Sequence, residues 1–227
     1  MREESWPEMG RRLAAVAVGV AAIVALIVWY VAGYLTVSPP TVSVSGKGVR
    51  TVNLTMQTVA SLGPNYEQPS WVSYLVKNEQ GQWVHSTVWT LPAHALVHVT
   101  VYQYDGASGL RNAFLGRPEG VVGNVMQVDG KTLDVLNPED ASHTFSIPAY
   151  HLVVPLEAVP DNAKNQCSAA PCTLAEAHRT ITFTFRTGAP GRFRWQCFVP
   201  CAAGFIYGFA GPMQTIGYMT GYMDVVS

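Results

Sequence analysis

The chain has 227 residues with 14 basic and 15 acidic side chains, a net charge of −1, and only 13% of its residues are charged. Such a balance offers no basic face to nucleic acid, and so low a charge content calls for a segment that avoids water. Leu13 to Leu35 is such a segment, uncharged and rich in Ala, Val and Ile. At 1.5 Å per residue it reaches roughly 34 Å, against about 30 Å for the hydrocarbon core of a bilayer. Arg11 and Arg12 directly precede it, and no Lys or Arg follows until Lys47. That asymmetry places residues 1–12, a short polar tail, in the cytoplasm. Trp29, Tyr30 and Tyr34 gather at the far end, where an aromatic belt belongs. A cleaved signal peptide has an apolar region of only about 7–15 residues, and Val31-Ala-Gly-Tyr34 is a poor cleavage site. Residues 13–35 are therefore expected to be a retained single-pass anchor in the cell membrane, in contact with the lipid bilayer, with the C-terminal domain outside the cytoplasm.

Thr36-Val-Ser-Pro-Pro40 reads as a stiff linker that ends the helix. Residues 41–227 suit one all-β domain with insertions. Strand signals of period two occur at Thr41–Ser45, Thr51–Met56, Ser70–Val76 and Gln82–Trp89, the last two flanking a hairpin signal at Glu79-Gln-Gly81. Further signals cover Ala95–Tyr104, Thr144–Pro148, Arg179–Arg186, Arg192–Cys197 and Tyr222–Val226. Short strands with turns between them predict a sandwich or barrel. Segments 105–140 and 157–177, rich in Gly, Pro, Asn and Asp, read as long insertions.

All four cysteines lie in this domain. Outside the cytoplasm an even count points first to disulfides. Cys167 and Cys172 share a loop of small residues, which favours a local disulfide between them. Cys197 and Cys201 are open to three readings: a disulfide or thiol remnant, a copper site, or another metal or redox pair. The copper reading needs a histidine from a distant segment and a thioether beside the thiolates. His143, in Ala141-Ser-His-Thr-Phe, fits the first need, and Met219, or alternatively Met213, fits the second. His94 and His98, on one strand, would lie about 13 Å apart and make poor joint ligands. His85, His151 and His178 read as surface or capped core residues, and Trp195 as core. No nucleophile, acid–base pair or cofactor motif marks a catalytic site.

The anchor, the strand pattern and His143…Cys197-Phe-Val-Pro-Cys201 together resemble the cupredoxin domain of subunit II in haem-copper oxidases. The resemblance implies an all-β, cupredoxin-like Greek-key β-sandwich behind one N-terminal transmembrane helix. It implies copper as cofactor and a membrane-embedded catalytic oxidase subunit as partner, with this chain a non-catalytic component of the complex, either structural or electron-relaying. The family's dinuclear CuA pattern resembles His…Cys-x-x-x-Cys-x-x-x-His-x-x-Met. Here Phe205 stands where the second histidine would fall and Gly208 where the methionine would fall. No histidine follows His178. A complete CuA centre is therefore not expected, and the copper site reads as degenerate. A membrane-anchored copper electron carrier and a copper-delivery or assembly factor are the alternatives.

From Trp195 to Met223 the sequence carries no charge. Exposed loops are not built this way. Phe205, Tyr207, Phe209 and Tyr218 are accordingly expected to face a membrane partner, the other reading being a buried hairpin of the same domain.

Overall fold

The computed structural model describes residues 6–35, 40–44, 49–59, 71–201 and 211–227. The chain divides into two compact units, Met1–Ser38 and Pro39–Ser227. In the first, helix α1 (Trp6–Tyr30) passes into a π-helical turn at Val31–Leu35. The helix starts upstream of the apolar run, so residues 6–12 of the expected tail are helical. Pro7 suits a first turn because its missing N–H would have no partner there. Met9–Gly33 is long and apolar enough to cross a membrane.

The second unit is a two-sheet sandwich. Its strands are β1 (Thr41–Ser43), β2 (Thr51–Val59), β3 (Ser73–Lys77), β4 (Trp83–Val84), β5 (Val88–Pro92), β6 (Leu96–Gln103), β7 (Met126–Val128), β8 (Lys131–Leu133), β9 (Ala141–Ile147), β10 (Leu152–Glu157), β11 (Arg179–Arg186), β12 (Gly191–Gln196) and β13 (Thr220–Val226). One sheet runs in the order β1-β5-β13-β12-β9-β10, the other β4-β3-β2-β6-β11-β7-β8. The pairs β1/β5, β5/β13 and β2/β6 are parallel. The expected all-β class behind one N-terminal apolar helix is the architecture observed.

Alternation fills the space between the sheets. Val97, Val99 and Val101 of β6 point inward, as do Ile181, Phe183 and Phe185 of β11. The other sheet answers with aromatics. Trp89 stacks on Trp195 with ring centroids 4.7 Å apart, and Phe145 lies 5.8 Å from Trp89. Contacts then cross between sheets, from Tyr74 edge-on to Trp195 at 5.0 Å and from Phe145 to Phe183 at 5.5 Å. Trp195 is thus a core residue, and its indole N–H donates to Thr87 O at 2.9 Å.

Three elements depart from the expected pattern. Gln82–Trp89 is broken in two, with β4 and β5 in different sheets. Ser86 makes the break: its Oγ accepts from Val88 N–H at 3.1 Å and donates to Pro40 O. Segment 105–140 contains the hairpin β7–β8, turned by Asp129 and Gly130 at φ 50° and 81°. An Asp-Gly pair suits a two-residue hairpin turn. Leu152–Glu157 is a strand despite Pro155, because β10 lies at a sheet edge where a missing N–H is tolerated.

The C-terminal segment is tied to Thr87. Its carbonyl accepts from Tyr222 N–H at 2.9 Å, and its Oγ1 accepts from Gly217 N–H at 2.7 Å. At Gly221 an added Cβ would lie 1.7 Å from Thr87 O. Gly221→Ala is therefore expected to destabilise the domain by about 3 kcal/mol or more, the upper range for overpacking, read as a lowered denaturant midpoint by circular dichroism.

A second tie is His85, whose Nε2 meets Gly217 O and Ser73 Oγ. Burial pushes its pKa below the ordinary value and outweighs the opposing hydrogen bond to Gly217. Below pH ~6.5 the unfolded chain takes up a proton at this histidine that the folded chain resists. Wild-type stability should thus fall relative to His85→Gln as pH drops below ~6.5, at no more than about 1.4 kcal/mol per pH unit. Denaturant titrations of both chains above and below that pH check this, and parallel curves would refute it.

Candidate metal centre

β9 lies beside β12, but the two pair only at Gln196↔Ser146. Beyond that point the chain leaves the sheet and turns its cysteines toward β9. Cys197 N–H donates to Met219 O at 2.9 Å, and Phe198 N–H to Thr144 Oγ1 at 2.7 Å. Thr144 N–H in turn points at Cys197 Sγ, 3.3 Å away. Pro200 shapes the return, where Cys201 N–H donates to Val199 O at 2.8 Å.

His143 lies within β9 rather than before a strand, on the same face as Phe145. Its Nδ1 is 3.2 Å from Cys201 Sγ and 4.0 Å from Cys197 Sγ. The two sulfurs are 3.6 Å apart, and both cysteines are free and buried. One ligand atom from each of His143, Cys197 and Cys201 falls within a 4.8 Å cluster. The disulfide reading of Cys197 and Cys201 is thus not the arrangement observed.

A fourth group completes the corner. Asp105 Oδ2 lies 2.9 Å from His143 Nε2. Burial pushes the His143 pKa down, but hydrogen bonds to Asp105 and Cys197 prevail and raise it to about 9. Burial also opposes ionisation of Cys197. Hydrogen bonds from Cys201 and His143 outweigh it and hold this thiol well below its usual range. Cys201 is pushed up by its bond to Cys197 and by burial. Without a metal the surroundings therefore favour a proton on His143 and on Cys201 over one on Cys197, and the Cys201 thiol is directed at Cys197 Sγ. A cavity of about 580 Å³ adjoins it, lined in part by Asp105, Ser108, Ser142, His143 and Cys201.

The remaining expected residues are distributed as follows. Met219 is fully buried in the same core cluster as both cysteines, and Met213 packs half-buried against it. Cys167 and Cys172 are joined in a disulfide. That loop docks on β2, where Cys172 N–H donates to Gln57 Oε1 at 2.8 Å. Phe205, Tyr207 and Phe209 lie outside the described residues. Tyr218 corrects the docking expectation: it is only 5% exposed and packs edge-on against Trp71 at 4.8 Å, inside its own domain. His94 sits in a turn at φ 56°, not on β6 with His98. Asp105 was not singled out by sequence. It precedes His143 by 38 positions and opens a segment that reads as an insertion.

No protein family and no curated protein matches the sequence. Solved structures do align with the chain. Rusticyanin from Thiobacillus ferrooxidans covers 84% of this chain and 85% of its own, at 18% identity and a TM-score of 0.34. Reduced rusticyanin covers 85% of this chain and 89% of its own, at 18% identity and a TM-score of 0.34. A chain from a heme-copper terminal oxidase dimer solved by cryo-EM covers 98% of this chain and 100% of its own, at 13% identity and a TM-score of 0.30. At such scores the likeness carries neither ligand nor activity across.

Thr144 couples β9 to the cysteine loop. Thr144→Val leaves Phe198 N–H without its acceptor, which should cost about 1–3 kcal/mol. The same change should speed alkylation of Cys197 and Cys201 in the metal-free native chain. Unchanged stability together with unchanged alkylation kinetics would show that this bond does not hold the loop.

Proposed function

We propose that this chain is a membrane-anchored, copper-binding electron-transfer subunit resembling subunit II of haem-copper oxidases. One observation carries this reading: a histidine nitrogen and two free thiol sulfurs from distant segments converge in a buried cluster, 3.2 to 4.0 Å from one another. Two thiolates with an imidazole form a soft donor set suited to copper. His143, Cys197 and Cys201 would hold the ion, and the buried Met219 is the candidate thioether. Bound copper supplies one-electron oxidation and reduction. Among the described residues no second histidine joins the cluster, so the donors suit one ion rather than a dinuclear CuA pair.

The protein's own groups prepare this site. Thr144 N–H, directed at Cys197 Sγ, stabilises negative charge on that sulfur. Phe198 N–H and Met219 O fix the loop backbone, so the thiols need no rearrangement to meet His143. Burial keeps bulk water away, and the adjoining cavity leaves one side of the cluster approachable. The apolar helix supports anchoring beside a membrane-embedded partner. The charge asymmetry around it supports a cytoplasmic N-terminus and a domain outside.

The test uses the full chain extracted gently from its own membranes. Copper analysis should give one ion per chain, with loss to background in Cys197→Ser and Cys201→Ser. Mass spectrometry of the intact complex should show a haem-bearing membrane subunit. Copper retained without such a subunit would favour an anchored carrier, and copper exchanging freely with a chelator a delivery factor. Full copper content in both serine variants would refute the site.

A further inference from the structure

We infer that Asp105 is a positioning residue for the metal centre, fixing which nitrogen of His143 faces the two sulfurs. The inference rests on the copper reading above and concerns how the protein prepares its one imidazole donor.

A neutral imidazole carries its proton on either ring nitrogen, and only the bare one can hold a metal. The ring's own preference between the two nitrogens is small. The selection has to come from whatever touches the far side. That group is Asp105, with Oδ2 at 2.9 Å from Nε2. An ionised carboxylate only accepts hydrogen bonds. The Nε2 position must therefore keep its proton, and Nδ1 becomes the lone-pair donor directed at Cys201 and Cys197. The same contact resists a ring flip that would exchange Nδ1 for carbon beside the sulfurs.

Asp105 is itself held. It follows β6 by two residues, and its carbonyl accepts from Val159 N–H at 2.9 Å and Gln103 Nε2 at 3.3 Å. The backbone is thus pinned from two directions. The two side chains are only 15% and 8% exposed, so water competes weakly for either partner. A purely structural ion pair has no need to place the opposite ring edge 3.2 Å from a free thiol. An outer carboxylate on a metal-binding histidine fixes tautomer and orientation and raises ligand basicity.

The full-length chain in detergent, with Cu(I) as probe, tests this by competition against a chromophoric chelator. Asp105→Ala should weaken Cu(I) binding by about 10–100-fold. Asp105→Asn keeps an accepting oxygen and should recover part of that loss. Nitrogen-15 NMR of the Cu(I)-loaded wild-type chain should show His143 protonated at Nε2 and bare at Nδ1, with slow exchange of the Nε2 proton. In Asp105→Ala that proton should exchange faster than in the wild-type chain. Equal Cu(I) affinity in wild type and Asp105→Ala overturns the inference alone, as does a loaded wild-type chain whose His143 has its proton on Nδ1. The second result decides even where Asp105→Ala does not fold. A wild-type chain that takes up no Cu(I) overturns the copper reading and this inference with it.

Discussion

Four ionisable side chains share one buried corner of the domain, and the order of their charges is the constraint on which the site depends. Asp105, His143, Cys197 and Cys201 are each shielded from water, so no member can be ionised without an opposite charge or a donated hydrogen beside it. The contacts that run from Asp105 through His143 to the two sulfurs supply those partners. Such a cluster is a poor way to gain stability, since well-packed apolar residues serve at least as well. Groups of this kind, with displaced proton affinities, gather where chemistry is done.

The sandwich brings β9 and the end of β12 together, and Thr144 bonds the start of the cysteine loop to β9. One Cα pair, Gln196↔Ser146, joins the strands, and beyond it they diverge. Behind the divergence, the stacked rings of Trp89, Trp195 and Phe145 form a stiff floor. Thr87 then ties the returning C-terminal segment to this floor, which places Met219 next to Cys197 in the backbone ladder. The three donor segments are therefore held by contacts that lie outside the site.

His143, Cys197 and Cys201 are legible in the sequence because thiol spacing within a loop is local and an upstream histidine before Phe and Ile marks a strand. Asp105 is not, since nothing local links an aspartate at the end of β6 to a histidine in β9; only the folded sheets make them neighbours. The break at Ser86 is invisible in the sequence, because nothing local shows that the segments on either side enter different sheets. β7 and β8 are three residues each, too short for a period to register, although Asp129-Gly130 carried the turn signal. β10 is hidden by Pro155, which argues against a strand except at an edge. Tyr218 shows the limit of composition: an uncharged stretch announces burial but not what covers it, and here Trp71 covers this ring.

The two cysteine pairs raise a question of timing. Cys167 and Cys172 are closed to each other, which is the state of thiols that have met an oxidising compartment. Cys197 and Cys201 belong to the same domain and stand 3.6 Å apart, both open. On the copper reading, maturation is a race at the second pair between oxidation to a disulfide and the arrival of an ion that occupies both sulfurs. The fold biases that race. In the first pair Cys167 stays partly exposed beside a buried Cys172, while Cys197 and Cys201 are both enclosed, Cys197 wholly and Cys201 at 5% exposure, so large oxidants are kept out once β9 and the cysteine loop have closed. Before that closure the thiols have no such shelter, so the copper reading calls for either a reductant or the ion during folding itself.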